Sequence, residues 1–241
     1  MDLILGRNPV LEALRAGSPI DSVSIKEGVN FDEKISEIFA LMKSKNIKHR
    51  FVSKRMLDNM SDGAIHQGIC ALRSVKEKRT FLQILTDLED KTIDPFIVYI
   101  REVQNEFNAG GIIRTAESVG ANVIVLAPKQ MVTPQIIRSS MGASEHINIV
   151  NENLFNAIKI AKGHLIKVIG IELSGDKYYY EVDLKGPAML IIGGEDKSLS
   201  KEVLDKCDIT VKIPQKGKIN SLNMAVAVGV VLYEKLKQDN S

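Results

Sequence analysis

Three short segments of the chain set polar side chains beside glycines. They are Asn108 to Ala116, which reads NAGGIIRTA, then Gly193-Gly194-Glu195, and then Ile213-Pro214 followed by Ser221-Leu222-Asn223. Each sits where a strand should give way to a glycine-bearing loop or a helix start, which is where parallel α/β proteins bind ligands. A glycine pair after a buried strand lets the backbone approach a ligand closely or take up positive φ, but such turns also serve purely structural ends. The chain has no G-x-G-x-x-G and no G-x-x-x-x-G-K-[ST], so neither a dinucleotide fingerprint nor a phosphate loop explains the glycines. Taken singly, Asn108 reads as a helix cap, and Arg114, about a turn and a half further on, as a solvated residue. Glu195 likewise reads as a loop carboxylate, and Ser221 and Asn223 as caps of the final helix. Their occurrence together points to one ligand site.

The elements that must position them fall into two groups. Asn8-Pro9, followed by Val10, Leu11, Ala13 and Leu14, predicts a helix with proline at its first position and Gly17 placed to end it. Short alternating strands follow at 22–26, 48–52 and 68–72, and Ile35, Ile38, Phe39 and Met42 mark an amphipathic helix over 32–44. Residues 1–74 thus form a compact α/β unit. The charged stretch 75–92, with a short amphipathic segment around 82–88, reads as a linker. Beyond it, 96–100, 123–126, 166–169 and 188–192 are nearly continuous apolar runs, the mark of strands buried on both faces, so 93–241 is expected to hold a parallel sheet flanked by helices. Helices are predicted at 108–119, 134–140, 151–162 and 201–206, with a last strand at 209–213. The final helix, 221–237, carries Leu222, Ala225, Val226, Gly229 and Leu232 on one face, whose small residues Ala225 and Gly229 suit close packing, expected between two copies of the chain.

In order and spacing, the three segments resemble the motifs of the SpoU, or TrmH, family of RNA ribose 2'-O-methyltransferases, within the SPOUT superfamily. The amino-terminal stretches GRNPVLEAL, from Gly6, and SDGAIHQG, from Ser61, resemble the substrate-recognition domain of the RlmB-type enzymes, which modify a guanosine of large-subunit ribosomal RNA. The resemblance implies a small ribosomal-protein-like α/β domain that binds RNA. It also implies a catalytic SPOUT domain with a deep trefoil knot, a homodimer with its active site at the two-fold interface, and S-adenosyl-L-methionine as cofactor. Gly193, Gly194, Ile213, Gln215 and Leu222 would hold the cofactor, and Asn108, Arg114, Glu195, Ser221 and Asn223 would serve catalysis. The sequence departs from the family pattern at Arg101, where an acid is usual, at Asn105-Glu106, where Asp-Pro is common, and at Asp196 and Ser198, where glycines are frequent. Those departures leave room for a catalytically silent RNA-binding paralogue, and a transfer-RNA enzyme of the same family is a third reading.

The 241 residues are 44% hydrophobic and 26% charged, the composition of an ordinary globular chain and neither disordered nor fibrous. A net charge of +2 does not announce nucleic-acid binding, so any such role must come from local clustering. Lys43, Lys45, Lys48, Arg50, Lys54 and Arg55 do cluster with no intervening acid, and Lys45, Lys48 and Arg50 are the candidate phosphate contacts. Cys70 and Cys207 lack ligand spacing, so no metal is expected and both read as buried thiols. With no apolar run of membrane-spanning length and no charged leader, a cytoplasmic protein is expected. His66 reads as structural. Tyr178-Tyr179-Tyr180 offers rings for stacking bases, although three consecutive residues cannot share one face of a strand.

Overall fold

The computed structural model describes residues 2–74, 79–102, 104–193, 198–218 and 221–241, and it divides into two compact units. The first runs β1 (Asp2–Leu5), α1 (Arg7–Arg15), β2 (Ile20–Lys26), α2 (Glu33–Ser44), β3 (Lys48–Val52), α3 (Lys54–Met60) and β4 (Ile69–Arg73). Its sheet has the order β1-β4-β2-β3, with β4 antiparallel to both neighbours and β3 parallel to β2 at the edge. Val10, Leu14, Ile35, Ile38 and Met42 pack the helices onto Ile4, Val23, Ile25 and Ile69 of the sheet. Gly6, not Asn8, is the residue before α1, which puts Pro9 at the third helical position, whereas Gly17 ends the helix at φ 71° as expected. His66 is buried. Its Nδ1 accepts from the Gly68 amide and its Nε2–H donates to Asp58, 3.0 Å each, a structural role that holds the Asp58 carboxyl below its ordinary pKa.

The second unit holds α4 (Phe81–Asp90), β5 (Phe96–Ile100), α5 (Glu106–Ser118), β6 (Val123–Leu126), β7 (Asn148–Asn151), α7 (Leu154–Gly163), β8 (Lys167–Ile171), β9 (Lys177–Tyr178), β10 (Ala188–Ile192), α8 (Lys201–Leu204), β11 (Ile209–Lys212) and α9 (Met224–Asp239). Its seven strands pair in parallel throughout, in the order β7-β6-β5-β10-β8-β11-β9. Every residue of β5, β6 and β10 is buried, as their unbroken apolar runs require. Gly175 crosses so close to the β11 backbone that a Cβ there would lie 2.5 Å from the Val211 carbonyl carbon, so no side chain fits. The sole buried lysine of α9, Lys235, donates to the Leu184 and Gly186 carbonyls and to Asp239 and fastens the final helix to the turn before β10.

Two stretches differ from the sequence reading. Most of the expected linker is helical: α4 opens with a Thr80–Gln83 capping box and buries Phe81, Ile84, Leu85 and Leu88 in the core of the second unit, while residues 75–78 lie outside the described residues. Helix α6 (Pro134–Ser139), expected among the helices flanking the parallel sheet, groups instead with the first unit as part of Val132–His146. The physical cause is a buried polar knot. Arg73 at the end of β4 donates to both oxygens of Glu145 at 2.7 and 2.9 Å, Ser18 donates to the same carboxylate at 2.6 Å, and Ile137 enters the apolar core beside them.

Removing one member of such a pair strands a buried charge. We expect Glu145→Ala to destabilise the first unit by about 3 to 5 kcal/mol, and Glu145→Gln by less, because the amide still accepts one bond. Urea denaturation of the full chain checks both; equal stability of Glu145→Ala and wild type would show that the segment is not held by this pair.

Candidate functional site

Parallel pairing brings the carboxyl ends of β8, β10 and β11 to one edge of the second sheet, and a cavity of about 420 Å³ opens there. Ile171 to Leu173 line it from the end of β8, Ile192 and Gly193 from the end of β10, and Ile213 and Gln215 from beyond β11. Ser221, Leu222, Asn223, Met224 and Ala227 enter from the start of α9, and Asn108 from the first turn of α5. Apolar walls with a few convergent polar groups, at this volume, make a site for a small organic ligand.

The sequence-predicted residues divide cleanly. Asn108, Gly193, Ile213, Gln215, Ser221, Leu222 and Asn223 line the one cavity. Arg114 does not. It is exposed on α5, six positions beyond Asn108 and so on another face of the helix. Gly194, Glu195 and Asp196 lie outside the described residues.

Two asparagines tie the site together. Asn105, not Asn108, caps α5, its Oδ1 accepting from the Phe107 and Asn108 amides at 2.9 and 3.4 Å. Asn108 therefore projects from within the helix, and its Oδ1 accepts from Asn223 Nδ2 at 2.9 Å. Asn223 in turn caps α9, its Oδ1 accepting from the Ala225 and Val226 amides at 2.9 and 3.3 Å. One side chain thus starts the final helix and joins it to the first motif. Gly110 and Gly111 are helical rather than loop residues. Gly111 faces Ala225 of α9 and Gly229 of α9 faces Thr115, where a Cβ on either glycine would meet its neighbour at the ordinary contact distances of 3.6 and 3.7 Å. The small-residue face of α9 is thereby occupied within the chain.

Glu172 is a site residue that the sequence reading missed. Its carboxylate accepts from the Leu173 amide at 2.8 Å and from the Leu199 amide at 2.7 Å, pinning the far end of the second-motif loop. The signal was present: Glu172 follows a buried strand directly, at the edge where ligands gather. Arg101, one of the departures from the family pattern, donates to the Ser198 carbonyl at 3.1 Å and holds the same loop. The two cysteines stand apart from the cavity, and burial pushes their thiols up to about 12 for Cys70 and about 11 for Cys207. The basic cluster of β3 is exposed, with Arg50 Nε donating to Ser24 at 3.2 Å. Tyr178 and Tyr180 stack on each other at 5.5 Å, because a 3-10 turn at Tyr179–Glu181 interrupts the strand.

Comparison with known proteins agrees with the geometry. The SpoU rRNA Methylase family model matches residues 95–233, and a model for RNA 2'-O ribose methyltransferase substrate binding matches 3–94. A Bacillus subtilis protein named for the TrmH family of tRNA/rRNA methyltransferases is 31% identical over 99% of this chain and 96% of its own length. Among solved structures, the fold resembles that of the SpoU methyltransferase AviRb from Streptomyces viridochromogenes in complex with AdoMet. The TM-score is 0.82 at 23% identity, over 99% of this chain and 90% of that one. An AdoMet-bound rRNA methyltransferase from Sinorhizobium meliloti gives 0.78 at 22% identity, over 97% and 85%.

If Asn223 acts as cap and tie together, Asn223→Ala should cost about 1 to 2 kcal/mol of stability. Asn223→Ser, which keeps a capping oxygen but is too short to reach Asn108, should recover most of the cap. Chemical denaturation of the two variants and wild type reads the difference, and an unchanged Asn223→Ala would count against the cap.

Proposed function

The chain belongs to the SpoU rRNA methylase family, and from that premise we propose that it methylates a ribose 2'-hydroxyl of RNA with S-adenosylmethionine, its target a guanosine of 23S ribosomal RNA in the cytoplasm. The observation that carries the reading is the convergence of all three motifs on one cavity. Its walls suit a nucleoside with a charged tail: apolar faces at Ile171, Leu173, Ile192, Ile213 and Leu222 for a base, and polar groups at Glu172, Gln215 and Ser221 for hydroxyl, amino and carboxylate groups. Gly193, Gly194, Ile213, Gln215 and Leu222 would hold the cofactor, in the knotted arrangement that the family resemblance implies. The RlmB-like amino-terminal segments favour ribosomal over transfer RNA, with residues 1–74 binding RNA and 93–241 carrying catalysis. Lys45, Lys48 and Arg50 would meet phosphates.

The cofactor, when bound, supplies a methyl carbon made electrophilic by its sulfonium. The chain must then hold the 2'-oxygen in line and stabilise the charge that develops as its proton leaves. A guanidinium is too weak a base to take that proton. Arg114 would bind the adjacent phosphate and stabilise the developing alkoxide, while the proton passes from the 2'-oxygen to that phosphate or to water. Asn108 and Asn223 orient the ribose and backbone, Glu195 orients Arg114 or a loop donor, and Ser221 fixes the cofactor loop.

Because Arg114 does not line its own chain's cavity, the catalytic unit would be a homodimer. Phe107 is 63% exposed and lies seven positions before Arg114 on α5, and Val226 and Tyr233, each 53% exposed, lie seven apart on the neighbouring α9. Seven residues span nearly two helical turns, so each pair shares a stripe. Two copies meeting through these stripes would cover the apolar rings and lend each Arg114 to the partner's site.

Sedimentation should report about twice 26.6 kDa at micromolar concentration, and Val226→Asp should shift it to monomer with loss of activity. A strict wild-type monomer that methylates RNA would refute the assembly. Arg114→Ala should lower methyl transfer about a hundredfold or more while leaving cofactor affinity near wild type, as expected of a side chain acting on developing charge. Arg114→Lys should recover little. The checks are tritiated methyl transfer to unmodified ribosomal RNA and titration calorimetry. Wild-type protein that binds cofactor and RNA but transfers nothing would be the silent paralogue.

A further inference from the structure

The edge strand β3 is an anomaly in the first unit. It pairs on one side only, and four of its five residues, Lys48, His49, Arg50 and Phe51, are exposed. Lys48 and Arg50 guard this edge with charge, but the exposed Phe51 ring beside them does not, and an open aromatic at an edge calls for a use. Alternation along the strand puts His49 and Phe51 on one face and Lys48 and Arg50 on the other.

The His49 and Phe51 face continues into α2 and the loop before it. Phe39, half-buried on α2, is the centre of a cluster. Phe31 stacks on it at 5.2 Å and 25°, Phe51 at 6.1 Å and 22°, and His49 meets it edge-on at 5.4 Å. Phe39 is anchored against the core of the unit, but Phe31 and Phe51 are 59% and 48% exposed. Two open rings, held nearly parallel to a fixed third, are therefore presented to solvent without the entropy cost of ordering them at the moment of binding.

What surrounds the rings selects the occupant. The six cations from Lys43 to Arg55, without an intervening acid, flank the cluster from the end of α2, through β3, to the start of α3. Of the nearby acids, Asp32 is paired with Arg7 and Glu37 with Arg15, while Glu27 and Glu33 are exposed and fewer than the six cations. Rings with a cationic rim match unpaired nucleotides, whose bases stack on aromatic faces and whose phosphates neutralise lysine and arginine. A protein partner would call for aliphatic cover and complementary acids.

We propose that the α2–β3 edge is a docking surface for single-stranded nucleotides of the RNA substrate, with bases stacked on Phe31 and Phe51 on one face and the backbone passing over the edge of β3 so that phosphates meet Lys48 and Arg50 on the other. The inference rests on the RNA-methyltransferase reading and deepens it. The unit would grip an unpaired stretch of substrate by stacking and charge rather than by reading a duplex. Such binding tolerates many sequences, because every base has a stacking face.

The test uses the full chain and a short RNA carrying 2-aminopurine, as a single strand and as a duplex, with fluorescence and affinity read over a salt series. Phe31→Ala and Phe51→Ala should each weaken single-strand binding about tenfold and relieve the quenching of 2-aminopurine, while Phe51→Trp retains both. Because the variants keep every cation, their salt slope should match that of wild type. Thermal unfolding in parallel shows that these exposed positions leave the fold intact. Single-strand affinity within about twofold of wild type, or an equal loss on the duplex, would overturn the proposal. So would a changed sedimentation coefficient with unchanged RNA affinity, which would make the face a protein contact. Methyl transfer separates the two claims. Wild-type transfer with indifferent phenylalanine variants leaves the enzyme reading standing and removes the platform. Loss of single-strand binding in the variants of a protein that transfers nothing does the reverse.

Discussion

The governing constraint is parallel pairing. A parallel strand cannot turn back on its neighbour, so every connection crosses the sheet and every strand in the set ends at the same edge. In this chain the rule gathers the ends of β8, β10 and β11, far apart in sequence, around one cavity. The apolar runs that build those strands are thus also what assembles the site. Their hydrophobicity is the first requirement of the chemistry, although none of it is chemically active. The hydrogen bond from Asn223 to Asn108 then closes the arrangement by tying the cap of the last helix to the first turn of α5.

The strand set of the second unit was readable because burial on both faces leaves an unmistakable trace, as in Phe96 to Ile100. The site was readable only in part. Seven residues chosen from the three motifs do line the cavity. Glu172 escaped notice because the strand was ended at Ile169, two residues short of the Gly170 and Ile171 that carry it to the edge. The packing of α9 was illegible for a different reason. Val226, Val228, Val230, Val231 and Leu232 make the helix apolar nearly all round, and periodicity cannot choose a face when most faces qualify. Packing against α5 brings Gly111 to Ala225 and Gly229 to Thr115, a pairing that is a property of two helices together. The role of Val132–His146 was beyond any local reading, since it depends on Arg73 meeting Glu145 across 72 positions.

Two of the departures from the family pattern, Asn105 and Arg101, have structural roles. Asn105 performs the capping that an aspartate could perform, accepting the first free amides of α5. Arg101 reaches the Ser198 carbonyl, so a cation holds the loop by donation where an acid would need a donor in return. Glu172 pins the same loop from the next strand but one. Both contacts fall on adjacent residues, Ser198 and Leu199, so the far end of the second-motif loop is held twice.

The buried knot of Arg73, Ser18 and Glu145 has a consequence for how the molecule is made. During synthesis the amino-terminal sheet leaves the ribosome well before Glu145 does, and until then Arg73 lacks the Glu145 carboxylate and the core lacks Ile137. The unit therefore cannot reach its final packing as soon as its own strands are complete. It waits for a segment that lies between two strands of the other sheet, so the chain matures as interleaved pieces rather than as one domain after another. For the same reason, cutting the gene between the two family regions would separate the first unit from part of its own interior.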